Sequence, residues 1–120
     1  MIIITGADGF IASALISELN KYNFNNIIAV DLFNSDLKNQ NIEDKKIKQK
    51  VNRNELDDWI QLHHEEIEFI FHLGARTDTA EFDRTLLTKL NTDYSKMIWK
   101  NCVSYQIPLV YASSAATYGL

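Results

Sequence analysis

The sequence is poor in the residues that break or staple a chain. One proline, four glycines and one cysteine stand among its 120 residues. A lone cysteine, Cys102, cannot close an internal disulfide and suits a reducing compartment. Basic charge is in deficit too, with 12 Lys and Arg against 16 Asp and Glu for a formal net charge of −4, and runs such as Lys45-Lys46 are short. No nucleic-acid partner is expected from such a field. No apolar run approaches the ~20 residues that cross a bilayer. The apolar start, Met1 to Ile4, has neither a basic n-region nor a long h-region and reads as a strand, not a signal peptide. The expectation is a cytoplasmic protein with no membrane partner. No internal repeat appears. At 46% apolar and 23% charged, the chain is one globular domain or less, long enough to bury a core.

Apolar spacing supplies the elements. Ile2–Thr5 and Ile27–Asp31 are continuous β-branched runs, as expected of strands buried on both faces of a parallel sheet. Between them a helix from about Phe10 to Asn20 would turn Ile11, Ala14, Leu15 and Leu19 inward. Residues 33–46 are polar and read as loop, and Ile47–Val51 is a weak third strand. Asn54 is expected to cap a helix reaching His64, with Leu56, Trp59, Ile60 and His63 on one face. Ile67–Leu73 is a fourth strand, and Arg84–Tyr105 a long helix with Leu86, Leu87, Leu90, Tyr94, Met97, Ile98 and Cys102 at helical spacing. Pro108–Ser113 opens a fifth strand. Strands alternating with helices predict an α/β fold, a doubly wound parallel sheet of the Rossmann type with right-handed crossovers.

Two of the few glycines, Gly6 and Gly9, fall three apart between the first strand and first helix, with Ala12 a further three on. Glycine costs about 0.5–1 kcal/mol against alanine in regular structure. Here it would let backbone amides approach a pyrophosphate at the helix N-terminus. A small residue at Ala12 would let helix and strand pack closely. Asp31, closing the second strand 22 residues past Gly9, is placed to accept from adenosine ribose hydroxyls. The competing account is a turn chosen only for helix–strand packing.

Ligands of open α/β sheets lie beyond the carboxyl ends of strands. The loop His72-Leu73-Gly74-Ala75-Arg76-Thr77 should therefore pass beside the cofactor, with Gly74 again permitting close approach. His72, inside a buried strand, reads as a satisfied core histidine more readily than as a catalytic base. A metal site with Cys102 has no supporting spacing. Ser114, past the fifth strand, could hydrogen-bond a substrate hydroxyl or carbonyl; the alternative is a serine-rich turn satisfying its own backbone. Tyr118 reads as structural.

Together, TGADGFIAS (residues 5–13), HLGA (72–75) and SSAATYG (113–119) resemble the extended short-chain dehydrogenase/reductase superfamily of nucleotide-sugar epimerases and dehydratases. The run ARTDTAEFD (75–83), Asn91 with Tyr94-Ser95-Lys96, and IPLVYASSAATYG (107–119) favour its branch acting on an ADP-activated heptose, in lipopolysaccharide precursor synthesis. That resemblance implies oxidation of the heptose C6 to a ketone by NADP⁺, reorientation of the ketone, and hydride return to the opposite face. It further implies Phe10 and Ile11 at the phosphate turn, Asp31 and Leu32 at the ribose, and Leu73, Gly74, Ala75, Arg76 and Thr77 beside the cofactor. Asn91 would support the site and Ser114 polarise the substrate. NADP is the implied cofactor and NAD is possible, since Asp31 would repel a 2′-phosphate that Lys38 could neutralise; Lys38 could equally be a solvated loop lysine. The full-length enzyme is expected to be a homo-oligomer.

The superfamily's chemistry uses a Tyr-x-x-x-Lys pair, whose ammonium lowers the phenol's pKa. Tyr22, Tyr94, Tyr105 and Tyr111 have no lysine four residues on, and Tyr118 meets the last residue, Leu120. The chain is thus expected to be an amino-terminal cofactor-binding portion, residues 1–120, that ends after the fifth strand, with the catalytic pair and a carboxyl-terminal substrate domain outside it. Such a piece would bind cofactor weakly, would not epimerise, and would expose apolar surface on the long helix and sheet edge. Two other readings share these residues: another nucleotide-sugar epimerase or dehydratase, and a non-catalytic dinucleotide-binding module.

Overall fold

A computed structural model describes residues 1–7, 10–31, 44–75 and 84–113, without side-chain detail at 10, 74–75, 84–92 and 112–113. Five strands form one parallel sheet: β1 (Ile2–Thr5), β2 (Ile27–Asp31), β3 (Gln49–Asn52), β4 (Phe69–Ala75) and β5 (Leu109–Ser113), in the order β3-β2-β1-β4-β5. Helices α1 (Phe10–Lys21), α2 (Leu56–His63) and α3 (Arg84–Tyr105) flank it. The doubly wound α/β fold is as expected, and the strand order reverses beside β1, so β1 and β4 border the switch point where such sheets take their ligands.

Alternation along the strands sorts the core. Ile2, Ile4, Ile27 and Ala29 pack with Ala12 and Ile16 of α1. Ile3, Ile28, Val30, Val51 and Ile70 pack with Leu56 and Ile60 of α2 and Ile98 and Cys102 of α3. The inward face of α1 differs from expectation. Ala12 and Ile16 are buried with Leu15 and Leu19 partly covered, whereas Ile11 is 61% exposed and Ala14 also faces out. The small Ala12 allows close approach to the sheet, and contact centred there turns the first-turn isoleucine outward.

The third strand is Gln49–Asn52, two residues later at its start than the apolar run suggests, because pairing with β2 sets its limits: Ile28 meets Gln49 and Asp31 meets Asn52. The cap after it is Asn52 and not Asn54. The Asn52 side chain accepts from the Asn54 N–H at 2.9 Å, starting a 3-10 turn, Arg53–Glu55, that leads into α2. The apolar face of α2 is as expected, with Leu56 and Ile60 buried and Trp59 and His63 part-covered. Helices α1 and α3 end alike. Asn23 (φ 63) and Gln106 (φ 57) take the left-handed conformation, and the next amides, of Phe24 and Ile107, return to Leu19 O and Cys102 O at 2.9 Å each.

Candidate functional site

The carboxyl edge of the sheet is built from the ends of β1, β2 and β4. After Thr5 the chain turns through Gly6, whose φ of 66 lies where a Cβ is disfavoured. The Ala7 amide then donates to Val30 O at 3.1 Å, anchoring the turn to β2 next to Asp31. The N-terminus of α1 comes shortly after, with Ile11 exposed and Ala12 only 2% exposed. A glycine turn held by backbone bonds and feeding a helix N-terminus fits a dinucleotide pyrophosphate.

Opposite it, β4 runs through Leu73 and Gly74 to Ala75. Its register with β5 slips there: His72 meets Tyr111 and Ala75 meets Ser113, so three steps on β4 match two on β5. An extra residue of this kind bends a strand and redirects the side chains beyond it, and such bulges recur beside functional sites. Gly74 lies within it.

Three elements meet beneath this edge at His72, which is 2% exposed. Its Nδ1 lies 2.7 Å from Thr5 Oγ1 and its Nε2 lies 2.8 Å from Ser95 Oγ on α3. The Leu73 amide donates to the same Thr5 oxygen at 3.0 Å. His72 is therefore the satisfied core histidine that its place in the strand implied. Burial, with a smaller push from Arg53, lowers its pKa to about 4.

At the β2–β3 side the Arg53 guanidinium lies 4.1 Å from the Tyr94 ring centroid, a cation over an aromatic face. Burial holds the Tyr94 hydroxyl well above the usual phenol range; Arg53 opposes that shift and Asp31 adds to it. The guanidinium lies against the ring, and Tyr94 Oη is buried with no hydrogen-bond partner within reach among the described residues. Asp31 and Arg53 thus share one neighbourhood, since β2 ends at Asp31 directly opposite Asn52.

The structure brings Gly6, Ala12, Asp31, Leu73, Gly74 and Ala75 to one edge of the sheet. Phe10 begins α1 and Asn91 lies on α3, with their side chains undescribed. Gly9, Leu32, Lys38, Arg76, Thr77, Ser114 and Tyr118 fall outside the described residues. Sequence reasoning missed Arg53 as a member of this edge, though a cation directly after a parallel strand was a readable signal. Thr5 and Ser95 carried no such signal, because ordinary hydroxyls gain meaning only through the residue between them.

This arrangement, a glycine turn at the switch point with an acid closing the next strand, is that of a Rossmann-like, doubly wound α/β protein. The chain belongs to the NAD dependent epimerase/dehydratase family, whose profile matches residues 2–120. It is 35% identical over 122 residues to an ADP-L-glycero-D-manno-heptose-6-epimerase of Fusobacterium nucleatum, covering 100% of this chain and 37% of that one. It is 38% identical over 124 residues to the enzyme of the same name from Alkalilimnicola ehrlichii, covering 99% and 38%. The crystal structure of the Helicobacter pylori ADP-L-glycero-D-manno-heptose-6-epimerase superposes with a TM-score of 0.73 at 25% identity, over 98% of this chain and 40% of that one. The chain thus spans little more than a third of the length of these curated relatives.

Proposed function

We propose that this chain supplies the cofactor-binding part, residues 1–120, of an NADP-dependent enzyme that inverts C6 of an ADP-activated heptose, converting the D-glycero to the L-glycero form. The observation that carries the reading is the Gly6 turn, anchored by Ala7 to Val30 at the switch point, in a chain 35–38% identical to enzymes of that name. NADP, when bound, supplies a reversible hydride acceptor at its nicotinamide. The chain's own part is to bind and orient. Backbone amides from Gly6 through Gly9 to Ile11 hold the paired phosphates, with Phe10 at the same turn, and Asp31 and Leu32 take the ribose. Leu73, Gly74, Ala75, Arg76 and Thr77 line the far half, with Asn91 in support from α3. Ser114 hydrogen-bonds the substrate oxygen at the carbon that loses hydride. Lys38 offsets the repulsion between Asp31 and a 2′-phosphate, and Arg53 adds a second cation on that side. The catalytic tyrosine and lysine come from outside these residues, as does the domain that holds the sugar; the assembled enzyme is a homo-oligomer of the cytoplasm.

The test is titration of the 120-residue chain with NADP⁺ and NAD⁺, beside Gly9→Val. The expected result is weak, saturable binding, tighter for NADP⁺, lost in the variant, with no epimerase turnover by the chain alone. Absence of saturable binding, or binding indifferent to the valine, overturns the cofactor assignment. For the substrate, a polypeptide carrying this segment at its relatives' full length is expected to turn over ADP-heptose and not UDP-glucose.

A further inference from the structure

Thr5 and Ser95 sit on opposite sides of a single buried ring. Thr5 is the last residue of β1, immediately before Gly6, and is 1% exposed. Ser95 lies on α3, one helical turn past Asn91. The His72 imidazole spans them, with one ring nitrogen 2.7 Å from the threonine oxygen and the other 2.8 Å from the serine oxygen. The threonine oxygen also receives the Leu73 amide at the β4 bulge. The Tyr94 and Tyr111 rings, with centroids 5.9 and 5.3 Å from that of His72, wall the imidazole in.

We propose that His72 is a positioning residue whose imidazole fixes the dinucleotide turn of β1, and the bulge of β4, at a set distance from α3. A neutral imidazole has one donor nitrogen and one acceptor, and each hydroxyl can do either. Because Thr5 Oγ1 already accepts from the Leu73 amide, the Nε2–H tautomer completes the relay: the Thr5 hydroxyl donates to Nδ1 and Nε2–H donates to Ser95 Oγ. The ring is planar and rigid, so a shift of α3 at Ser95 is carried to Thr5 and on to Gly6. No flexible side chain absorbs it. The consequence for affinity rests on the reading that the Gly6 turn holds a pyrophosphate; the mechanical link does not.

The experiment compares Ser95→Ala, Thr5→Val, Thr5→Ser and the double variant Thr5→Val/Ser95→Ala in the 120-residue chain. Cys102→Ala, buried on the same helix but outside the relay, is the control. The first readout is the ¹H–¹⁵N resonance of the Gly6 and Ala7 amides, and the second is the NADP⁺ dissociation constant. Ser95→Ala is expected to move both amide resonances from across the sheet, and Cys102→Ala to leave them. Loss of either hydroxyl should raise the dissociation constant about tenfold. Thr5→Ser should restore it, and the double variant should be no worse than the worse single one, because a relay broken once is broken. Unmoved Gly6 and Ala7 resonances in Ser95→Ala overturn the proposal. So does an affinity within about twofold of the Cys102→Ala control. Should Thr5→Val fail to fold, part-buried Ser95 decides alone. A chain that binds no dinucleotide sinks the cofactor reading, while the amide resonances still judge the relay.

Discussion

Ile2 and Ile4 turn toward α1, while their neighbours Ile3 and Thr5 turn toward α2 and α3. On the α1 side the buried set is Ile2, Ile4, Ala7, Ala12, Ile16, Ile27 and Ala29, backed by Phe69, Phe71 and Leu73. On the other side the packing begins the same way, with Ile3, Ile28, Val30, Val51 and Ile70. Toward the carboxyl edge it changes character: Thr5, His72, Ser95 and Tyr94 take over, and Asn101 and Cys102 are buried further along α3. The α1 face is packed mostly by apolar side chains, with Ser13 the buried polar residue of α1 among the described residues. The other adds directed bonds next to the ligand edge, where a fixed geometry has a use.

The largest expected effects fall on both faces alike and would break the comparison if they did not. Ile4→Ala on the α1 side and Ile28→Ala on the other each empty a site that is 0% exposed. Each should cost about 2–5 kcal/mol of unfolding free energy, read from urea titrations. A large loss on only one side would mean that the other core is loosely packed.

Acid should then separate the faces. His72 has a folded pKa of about 4 against 6.5 for the free side chain, chiefly through burial. The unfolded chain takes up that proton first as pH falls. The folded state is therefore penalised progressively from about pH 6.5 down to about pH 4, and the penalty levels off below. The shift corresponds to about 3 kcal/mol. Between about pH 6.5 and pH 4, the measured unfolding free energy should fall further than that of His72→Gln by this amount in total. Parallel curves would remove His72 from the acid response and leave the two faces equally indifferent to pH.

A smaller effect tests how the polar side is tied to its own second layer. Asn101, 8% exposed on α3, donates to Asp57 Oδ1 of α2 at 2.9 Å and to Met97 O at 3.0 Å. Asn101→Ala should cost about 1 kcal/mol. Amide exchange at α2 should quicken while that of α1 stays unchanged. Faster exchange in both helices would mean global loosening instead of a local tie.

The same contrast explains how much of the molecule is legible in its sequence. Five strands, three helices and the glycine turn come from β-branched runs and helical spacing, which are local and repeat along the chain. The inward face of α1 lies one position away from the expected one, because Ile11 is more apolar than Ala12 while packing rewards the smaller residue. The cap falls at Asn52 where Asn54 was expected, since both are asparagine and only the 3-10 turn distinguishes them. The Thr5–His72–Ser95 relay joins residues 67 and 23 positions apart in sequence. Nothing in the spacing of hydroxyls predicts such a contact. Asp31 is legible as the end of a strand, but Arg53 beside it depends on which strand pairs with which.

Outer surfaces carry the contrast beyond the core. On α1 the solvent side bears one exposed isoleucine, Ile11, in the first turn, and Glu18 and Lys21, paired at 3.4 Å, toward its end. On α3 it bears Trp99 and Val103, 62% and 61% exposed and one turn apart, and Val110 and Tyr111 are exposed on β5, at the sheet's edge among the described residues. Large apolar groups grouped on a helix and an unpaired strand edge both favour association. The 120-residue chain should therefore self-associate as its concentration rises, and Trp99→Gln should weaken this. The variant should change unfolding free energy by no more than about 0.5 kcal/mol, since surface substitutions away from specific contacts rarely do more. Sedimentation velocity over a concentration series reads the first effect and urea titration the second. If Glu18→Gln on α1 weakened association as much as Trp99→Gln, the two outer surfaces would be equivalent and the asymmetry would stop at the core.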